Sequence, residues 1–176
     1  MTIIPETKNW TWVLERRCDE CGFDAKTLQR EGIASTILAV ATPWTAILRR
    51  PSVRERPKPS VWSPLEYACH VRDTFRIFDG RLARMLGEDN PTFANWDQDA
   101  TAVEDRYEAQ EPGAVDAALQ GFAAQLAARY DSVGDSQWQR TGLRSDGSVF
   151  TVESFGRYLV HDPVHHLWDV GEPLPI

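Results

Sequence analysis

The chain has 176 residues, of which 42% are hydrophobic and 26% charged, and its formal net charge is −7. These values predict one folded domain, residues 1–176, and they disfavour nucleic acid as the main partner, because phosphate binding depends on clustered Lys and Arg. We find no apolar run of about 18 residues and no signal peptide, so we expect no membrane partner. The three cysteines do not make a disulfide framework, which favours a cytoplasmic location.

The first predicted helix is followed by a basic linker. Apolar residues recur every three or four positions from Asp24 to Arg50, which predicts an amphipathic helix over this range. Residues 49–60, RRPSVRERPKPS, contain three prolines and therefore predict a connection rather than a helix. The linker is either a solvated connection or a cationic segment that holds a carboxylate-bearing ligand.

The segment VWSPLEY, residues 61–67, predicts the start of the second helix. Ser63 can cap the helix, Pro64 suits its first position, and Glu66 completes a capping box. The pattern of apolar residues then continues to about Leu86. The sequence therefore predicts a long second helix with a well-defined first turn.

The second half of the chain predicts two more helices. Residues 91–116 are acidic and predict a long crossover, and the apolar spacing over 115–130 predicts the third helix. Residues 140–151, RTGLRSDGSVFT, contain the Asp-Gly pair of a tight turn and predict a small hairpin. Thr151 can cap the fourth helix.

Together these elements predict an all-α fold. We expect a four-helix bundle with a long crossover between helices 2 and 3 and a small hairpin before helix 4. Residues 1–23 would form an N-terminal arm, and residues 24–170 the bundle. Facing helices of such bundles commonly hold metal or ligand sites, so the expected partner is a small molecule. A homodimer is left open.

Three of the four histidines lie in HDPVHHLWDV, residues 161–170. His161 and His165 are four positions apart, so on an unbroken helix both can reach one ion. The remaining histidine, His70, lies near the start of the second helix. Three imidazoles with one open position are typical of a catalytic zinc rather than a structural one. The alternative is a surface or hydrogen-bonded histidine pair that binds no metal.

Three segments resemble the DinB-like proteins, four-helix bundles that include the mycothiol-dependent maleylpyruvate isomerases. They are WSPLEYACHVRDTFRIFDGRL, FANWDQD and VESFGRYLVHDPVHHLWDV. The resemblance covers Trp44 to Val170 and implies the same bundle type. It also implies a metal triad of one histidine on the second helix and an H-x-x-x-H pair on the fourth. In this sequence these positions are His70, His161 and His165.

The resemblance further implies a divalent metal, zinc first and nickel second, and a reaction that uses a low-molecular-weight thiol such as mycothiol. We therefore expect a metal-dependent enzyme that catalyses thiol-dependent transfer or isomerisation. A metal lowers the pKa of a bound thiol and makes it a competent nucleophile, but it activates water in the same way. The alternative function is a noncatalytic module that binds or senses a small ligand through its metal.

The N-terminal arm contains the motif CDECGFD, with Cys18 and Cys21. A zinc site would need two more ligands, and Cys69 with His70 could supply them, although the arm would have to fold back along the first helix. A redox pair is a second alternative. We favour a third, in which two reduced cysteines pack the N-terminal arm together with Trp10 and Trp12.

Pro163 interrupts the histidine motif and removes a hydrogen bond from the fourth helix. The helix either kinks and continues or stops at His161 and restarts, and we expect the first because packing against the bundle offsets a kink more easily than a break. Asp162 and Asp169 can orient ligating imidazoles as hydrogen-bond acceptors, or can simply face solvent. His166 is expected to face away from the ion.

Overall fold

Six α-helices and three short strands make up the ordered elements of residues 9–175, the part of the chain that a computed structural model describes. The helices are α1 (Ile33–Ala41), α2 (Trp44–Ile47), α3 (Pro64–Gly87), α4 (Gln98–Glu104), α5 (Pro112–Asp131) and α6 (Val152–Asp169). The strands are β1 (Thr92–Phe93), β2 (Thr141–Arg144) and β3 (Val149–Thr151). Short 3-10 turns cover Trp10–Leu14, Arg30–Gly32, Tyr107–Ala109 and Asp135–Gln137. The fold is mostly helical, and the small sheet corrects the prediction of an all-α chain.

The four-helix bundle consists of the α1–α2 segment, α3, α5 and α6. Helix α3 packs against α5 and α6, and α1 packs against the same two helices. Gly156 allows the close approach of α6, because a Cβ at that position would lie 2.8 Å from Ile33 and 3.0 Å from Tyr130. The core is aromatic and aliphatic, and its largest wholly buried side chains include Trp44 and Phe75.

The first predicted helix is shorter than the sequence pattern suggested. Helix α1 begins at Ile33 rather than near Asp24 and ends at Ala41. The Asp24 carboxylate accepts a hydrogen bond from the Lys26 N–H at 3.0 Å, which stabilises a turn instead of a helix. Pro43 lacks an N–H and separates α1 from α2.

The start of α3 is confirmed. The Ser63 hydroxyl accepts a hydrogen bond from the Glu66 N–H at 3.3 Å, and the Glu66 carboxylate accepts one from the Ser63 N–H at 2.8 Å. Residues 49–60 contain no helix, as predicted, and Arg56 of this linker forms an ion pair with the buried Glu66. The linker is therefore fastened to the first turn of α3.

The predicted hairpin before the last helix is confirmed, and it belongs to a larger sheet. Strands β2 and β3 pair antiparallel around Gly147, whose φ of +92° favours glycine. Strand β1 pairs parallel to β2, so the strand order is β1-β2-β3. This pairing positions residues 94–97 beside the end of α6 that carries the histidines.

Helix α6 continues through Pro163, which confirms the expected continuous helix. The Thr151 hydroxyl caps it by accepting a hydrogen bond from the Ser154 N–H at 3.0 Å. The N-terminal arm, of which residues 1–8 lie outside the described chain, packs against α6 through the turn Trp10–Leu14. Within residues 9–175, no helix combines the length and apolar character that a membrane span requires.

Candidate metal centres

A cleft of about 730 Å³ opens where α3, α6, the arm and the segment after β1 meet. Its lining is partly aromatic, partly charged and includes three histidine rings of α6. The lining residues include Trp10, Glu20, Thr74, Arg81, Trp96, Arg144, Tyr158, His161, Asp162, His165, His166 and Asp169. Its volume lies within the range of small-molecule sites, which is about 300–1,000 Å³.

Residues 161–166 of α6 contain two overlapping pairs of potential ligands. His161 and His165 form one pair, and Asp162 and His166 form the other. Each pair has the four-residue spacing that places two side chains on one helix face. Because successive residues are rotated by about 100° around a helix, the two pairs face different neighbours.

The first pair faces the N-terminal arm. Four side chains here have ligand atoms within 4.8 Å of one another: Cys18, Cys21, His161 and His165. We name them the cysteine–histidine group. All four are buried, and the three described cysteines, including Cys69 in the core, are reduced.

The surroundings of three imidazole nitrogens in the cysteine–histidine group are defined. The Cys18 Sγ lies 3.7 Å from the Nδ1 of His165, while the Nε2 of His165 lies 3.4 Å from a carboxylate oxygen of Glu20. The Nε2 of His161 is buried without a hydrogen-bond partner among the described groups. The ring of Trp10 covers both histidines, with centroid distances of 5.3 Å and 5.2 Å.

The second pair faces α3. Asp162 and His166 lie with His70, and ligand atoms of the three residues are within 4.8 Å of one another. We name these three the histidine–aspartate group. The Nε2 of His70 is 3.2 Å from one Asp162 oxygen, and the Nε2 of His166 is 3.8 Å from the other. Two imidazole nitrogens thus converge on one carboxylate.

Neighbouring side chains hold the histidine–aspartate group in place. The Asp169 carboxylate lies 2.8 Å from the Nδ1 of His166, which directs the other nitrogen of that ring toward Asp162. Thr74 donates a hydrogen bond to Asp162 at 3.3 Å. The ring of His70 stacks on Trp96 at 5.1 Å with an interplanar angle of 4°, so the segment after β1 closes over the buried imidazole.

Burial favours the neutral forms of His161 and Cys21 in the cysteine–histidine group. It lowers the pKa of His161 to about 4, and the nearby His165 adds to this effect. Burial also raises the pKa of the Cys21 thiol to about 12. A neutral imidazole offers its lone pair to a metal directly, whereas the thiol needs a cation to compensate for its buried charge.

In the histidine–aspartate group, charged neighbours rather than burial set the direction of the pKa shifts of His166 and Asp162. Burial alone lowers the pKa of His166, but the carboxylates of Asp162 and Asp169 outweigh it and raise that pKa above its usual value. Burial alone raises the pKa of Asp162, but His70 and His166 hold it well below its usual range. A site that stabilises positive charge in this way suits a divalent cation, and its nitrogen and oxygen donors fit one.

Two guanidinium groups face the same cleft from its other wall. Arg144 donates a hydrogen bond to the Tyr158 hydroxyl at 3.0 Å and pairs with Asp146 at 2.8 Å. Burial and the neighbouring Arg144 lower the pKa of Arg81 to about 10, which leaves it charged at neutral pH. Arg81 donates a hydrogen bond to the carbonyl of Ala94 at 2.8 Å.

The three predicted ligands are not brought together in this structure. His161 and His165 belong to the cysteine–histidine group, whereas His70 belongs to the histidine–aspartate group, and neither group contains all three. His166, which we expected to face away from the ion, lies with His70 instead. The physical reason is the rotation of about 100° per residue, which directs only the second pair toward α3.

Sequence reasoning missed two signals. Asp162 and His166 have the same four-residue spacing as the histidine pair, and carboxylates ligate metals as histidines do. The arm cysteines were expected to pack the arm, and they are buried, but their position against α6 was not expected. Of the two alternatives left open for Asp162 and Asp169, the structure has the contact with imidazoles, and the rings contacted are His70 and His166.

The linker arginines make contacts within the chain rather than facing the cleft. Arg50 pairs with Glu172, Arg54 donates a hydrogen bond to the carbonyl of Glu108, and Arg56 pairs with Glu66. These contacts favour the structural interpretation of residues 49–60. The cationic wall of the cleft comes from α3 and β2 instead.

Comparison with known proteins gives a family and a fold. A family model described as the DinB superfamily matches residues 43–170, and no curated protein matches the chain. Among solved structures, the chain is similar to YfiT from Bacillus subtilis, with a TM-score of 0.71 and 18% sequence identity over 80% of this chain and 83% of that chain. YfiT is described as "a probable metal-dependent hydrolase with an unusual four-helix bundle topology". The two proteins share the four-helix-bundle fold.

Proposed function

The chain belongs to the DinB superfamily, and we propose that it is a metal-dependent enzyme whose divalent ion is held by the histidine–aspartate group. One observation carries the proposal: two imidazole nitrogens and a carboxylate converge beside a cleft of about 730 Å³. Asp169 supports it by orienting His166, as carboxylates commonly do for metal-ligating histidines. We expect zinc as the first candidate and nickel as the second.

Three protein ligands leave a coordination position for a reactant. Two histidines with one carboxylate are a ligand set of hydrolytic zinc enzymes, whereas structural zinc sites use four protein ligands. The ion supplies Lewis acidity, which lowers the pKa of a bound water or thiol. We therefore place hydrolysis first, and the description of YfiT as a probable metal-dependent hydrolase agrees with it.

The cleft lining contains more carboxylates than guanidinium groups, but its two arginines offer one place for an anionic group of the substrate. Arg81 and Arg144 line the same cleft as Asp162 and His166, and Arg144 is buried while Arg81 is half-buried. A carboxylate or phosphate on the substrate would be held there by charge-assisted hydrogen bonds. Such contacts would orient the reacting group toward the ion.

Thiol-dependent transfer or isomerisation is the second candidate. The observation that favours it is the volume of the cleft, about 730 Å³, which is large enough for a low-molecular-weight thiol such as mycothiol. In that reaction, the same three residues would hold the ion, and the ion would activate a thiol instead of water. The histidine–aspartate group and the arginine wall keep the same roles.

The test compares metal-reconstituted wild type with Asp162→Asn, which keeps the shape of the ligand and removes its charge. Ester and amide substrates with and without a carboxylate are screened, each with and without low-molecular-weight thiols. We expect metal-dependent turnover, a preference for the anionic substrates, and a loss of about 100-fold or more in Asp162→Asn. Cys69→Ser changes a buried cysteine outside both groups and is the control that keeps activity.

The outcomes separate the candidates. Turnover without thiol supports hydrolysis, and turnover that requires thiol supports transfer or isomerisation. Equal activity of wild type and Asp162→Asn would overturn the proposal. Metal-dependent ligand binding without turnover of any substrate in the panel would favour a noncatalytic binding module.

A further inference from the structure

We propose that the cysteine–histidine group is a second, structural zinc site that fastens the N-terminal arm to α6. The site would use two thiolates from the arm and two imidazoles from the last helix. It shares no ligand with the histidine–aspartate group, so it does not depend on the proposed function. Its ligands also differ from the three-histidine set that the sequence predicted.

The number and type of donors fit a closed zinc site. Two cysteines and two histidines are a common ligand set of structural zinc, which is bound by four protein ligands in a tetrahedron. Zinc–sulfur and zinc–nitrogen bonds of about 2.3 Å and 2.0 Å place tetrahedral S and N ligands about 3.5 Å apart. The observed distance of 3.7 Å between the Cys18 Sγ and the His165 Nδ1 agrees with this geometry.

Each imidazole has a nitrogen available for the ion. The contact between Glu20 and the Nε2 of His165 places the proton on that nitrogen and leaves the Nδ1 lone pair beside Cys18. His161 is 4% exposed, and its Nε2 is buried without a hydrogen-bond partner among the described groups. A buried polar atom of this kind is costly unless it has a partner, and a metal ion would be that partner.

The backbone of the arm has the turn that such a site requires. The Cys18 N–H donates to the carbonyl of Phe23 at 2.8 Å, and the Gly22 N–H donates to the carbonyl of Cys18 at 3.0 Å. Gly22 has a φ of +78°, which a residue with a Cβ rarely adopts. The turn brings Cys18 and Cys21 to the same side of the arm and presents both to α6.

The consequence for the fold is a metal-dependent position of the arm. Trp10 and Glu20 of the arm line the cleft, and the zinc would hold that wall in place. Binding converts two thiols to thiolates and releases their protons to solvent. The site therefore couples arm docking to metal and to the reduced state of both cysteines.

The test uses the full chain without an affinity tag, depleted of metal and titrated with Co²⁺. Thiolate-to-cobalt charge transfer reports Cys18 and Cys21 and is silent for the histidine–aspartate group, which has no sulfur. We expect a band typical of two thiolates in wild type, its loss in Cys18→Ser/Cys21→Ser, and its retention in Cys69→Ser and Asp162→Asn. The double serine variant should also bind one equivalent of zinc less than wild type.

Several results would overturn the proposal. One is a wild-type cobalt spectrum without the thiolate band. Another is equal zinc content in wild type and Cys18→Ser/Cys21→Ser. A third is a titration of the unreduced, denatured and chelated protein that finds one thiol, because a Cys18–Cys21 disulfide would leave only Cys69. The wild-type spectrum tests the proposal even if the double variant does not fold. Loss of metal in Asp162→Asn but not in Cys18→Ser/Cys21→Ser would support the proposed function and not the second zinc site.

Discussion

Each of the two groups of potential ligands takes two side chains from residues 161–166 of α6, and the groups differ in almost every other respect. The cysteine–histidine group is buried beneath the N-terminal arm and contains sulfur, whereas the histidine–aspartate group contains a carboxylate that is 32% exposed toward the cleft. Soft thiolates with four protein ligands suit a closed structural ion, and three nitrogen and oxygen ligands leave room for a reactant. The same helical spacing thus supports two roles, and the donor type and access to the cleft distinguish them.

The largest effect that separates the two groups is expected on stability. Replacing Cys18 and Cys21 by serine should remove the zinc-dependent part of the free energy of unfolding, about 4 kcal/mol when free zinc exceeds the dissociation constant roughly 1,000-fold. For a domain of this size, that loss lowers the unfolding temperature by roughly 10 °C. Calorimetry with and without a chelator measures it.

A chelator should destabilise wild type more than the double variant, because the variant can lose only the ion of the histidine–aspartate group. Exposed Arg16 and Arg17, just before the first cysteine, should become faster trypsin sites when the arm is released. Equal chelator sensitivity of both proteins would show that the cysteines contribute no metal-dependent stability.

A smaller effect is expected from Asp169→Asn, which acts on the histidine–aspartate group. The variant removes the charge that orients His166 and should weaken metal binding at this group by about 10–100-fold. Competition with a chromophoric chelator measures the affinity. The thiolate-to-cobalt band serves as the internal control and should not change, so a parallel loss of that band would contradict the independence of the two groups.

The smallest effect is expected from Glu20→Gln, the corresponding change on the other group. Glu20 contacts His165 at 3.4 Å, and its side chain is 49% exposed, so solvent screens the contact and the loss of affinity should be only a few-fold. The same competition assay, followed at the thiolate band, measures it. A loss as large as that of Asp169→Asn would mean that Glu20 is itself a ligand.

Local signals explain why much of the fold could be predicted from the sequence. Three of these signals involve only residues close together in the chain and can be recognised in the local sequence. They are the capping box of Ser63 and Glu66, the cap at Thr151 and the Asp-Gly turn at residues 146–147. The prediction of the first helix overlooked one local signal, Pro43, which separates α1 from α2. The pairing of β1 with β2 joins positions about 50 residues apart and has no local signature.

The candidate sites could be predicted only in part, because the choice between two overlapping pairs is a tertiary property. The sequence places His161 and Asp162 one position apart but does not say which of them faces α3. That choice depends on the rotation of α6 in the bundle, which its packing against α1 and α3 determines. The contact between Cys18 and His165 spans 147 residues and required the position of the arm.

The most direct test of the two-site account is a crystal structure of the zinc-loaded protein with anomalous data collected at the zinc edge. The account predicts two separate anomalous peaks, one among Cys18, Cys21, His161 and His165 and the other among His70, Asp162 and His166. A single peak ligated by His70, His161 and His165 would contradict it and would restore the three-histidine site that the sequence predicted.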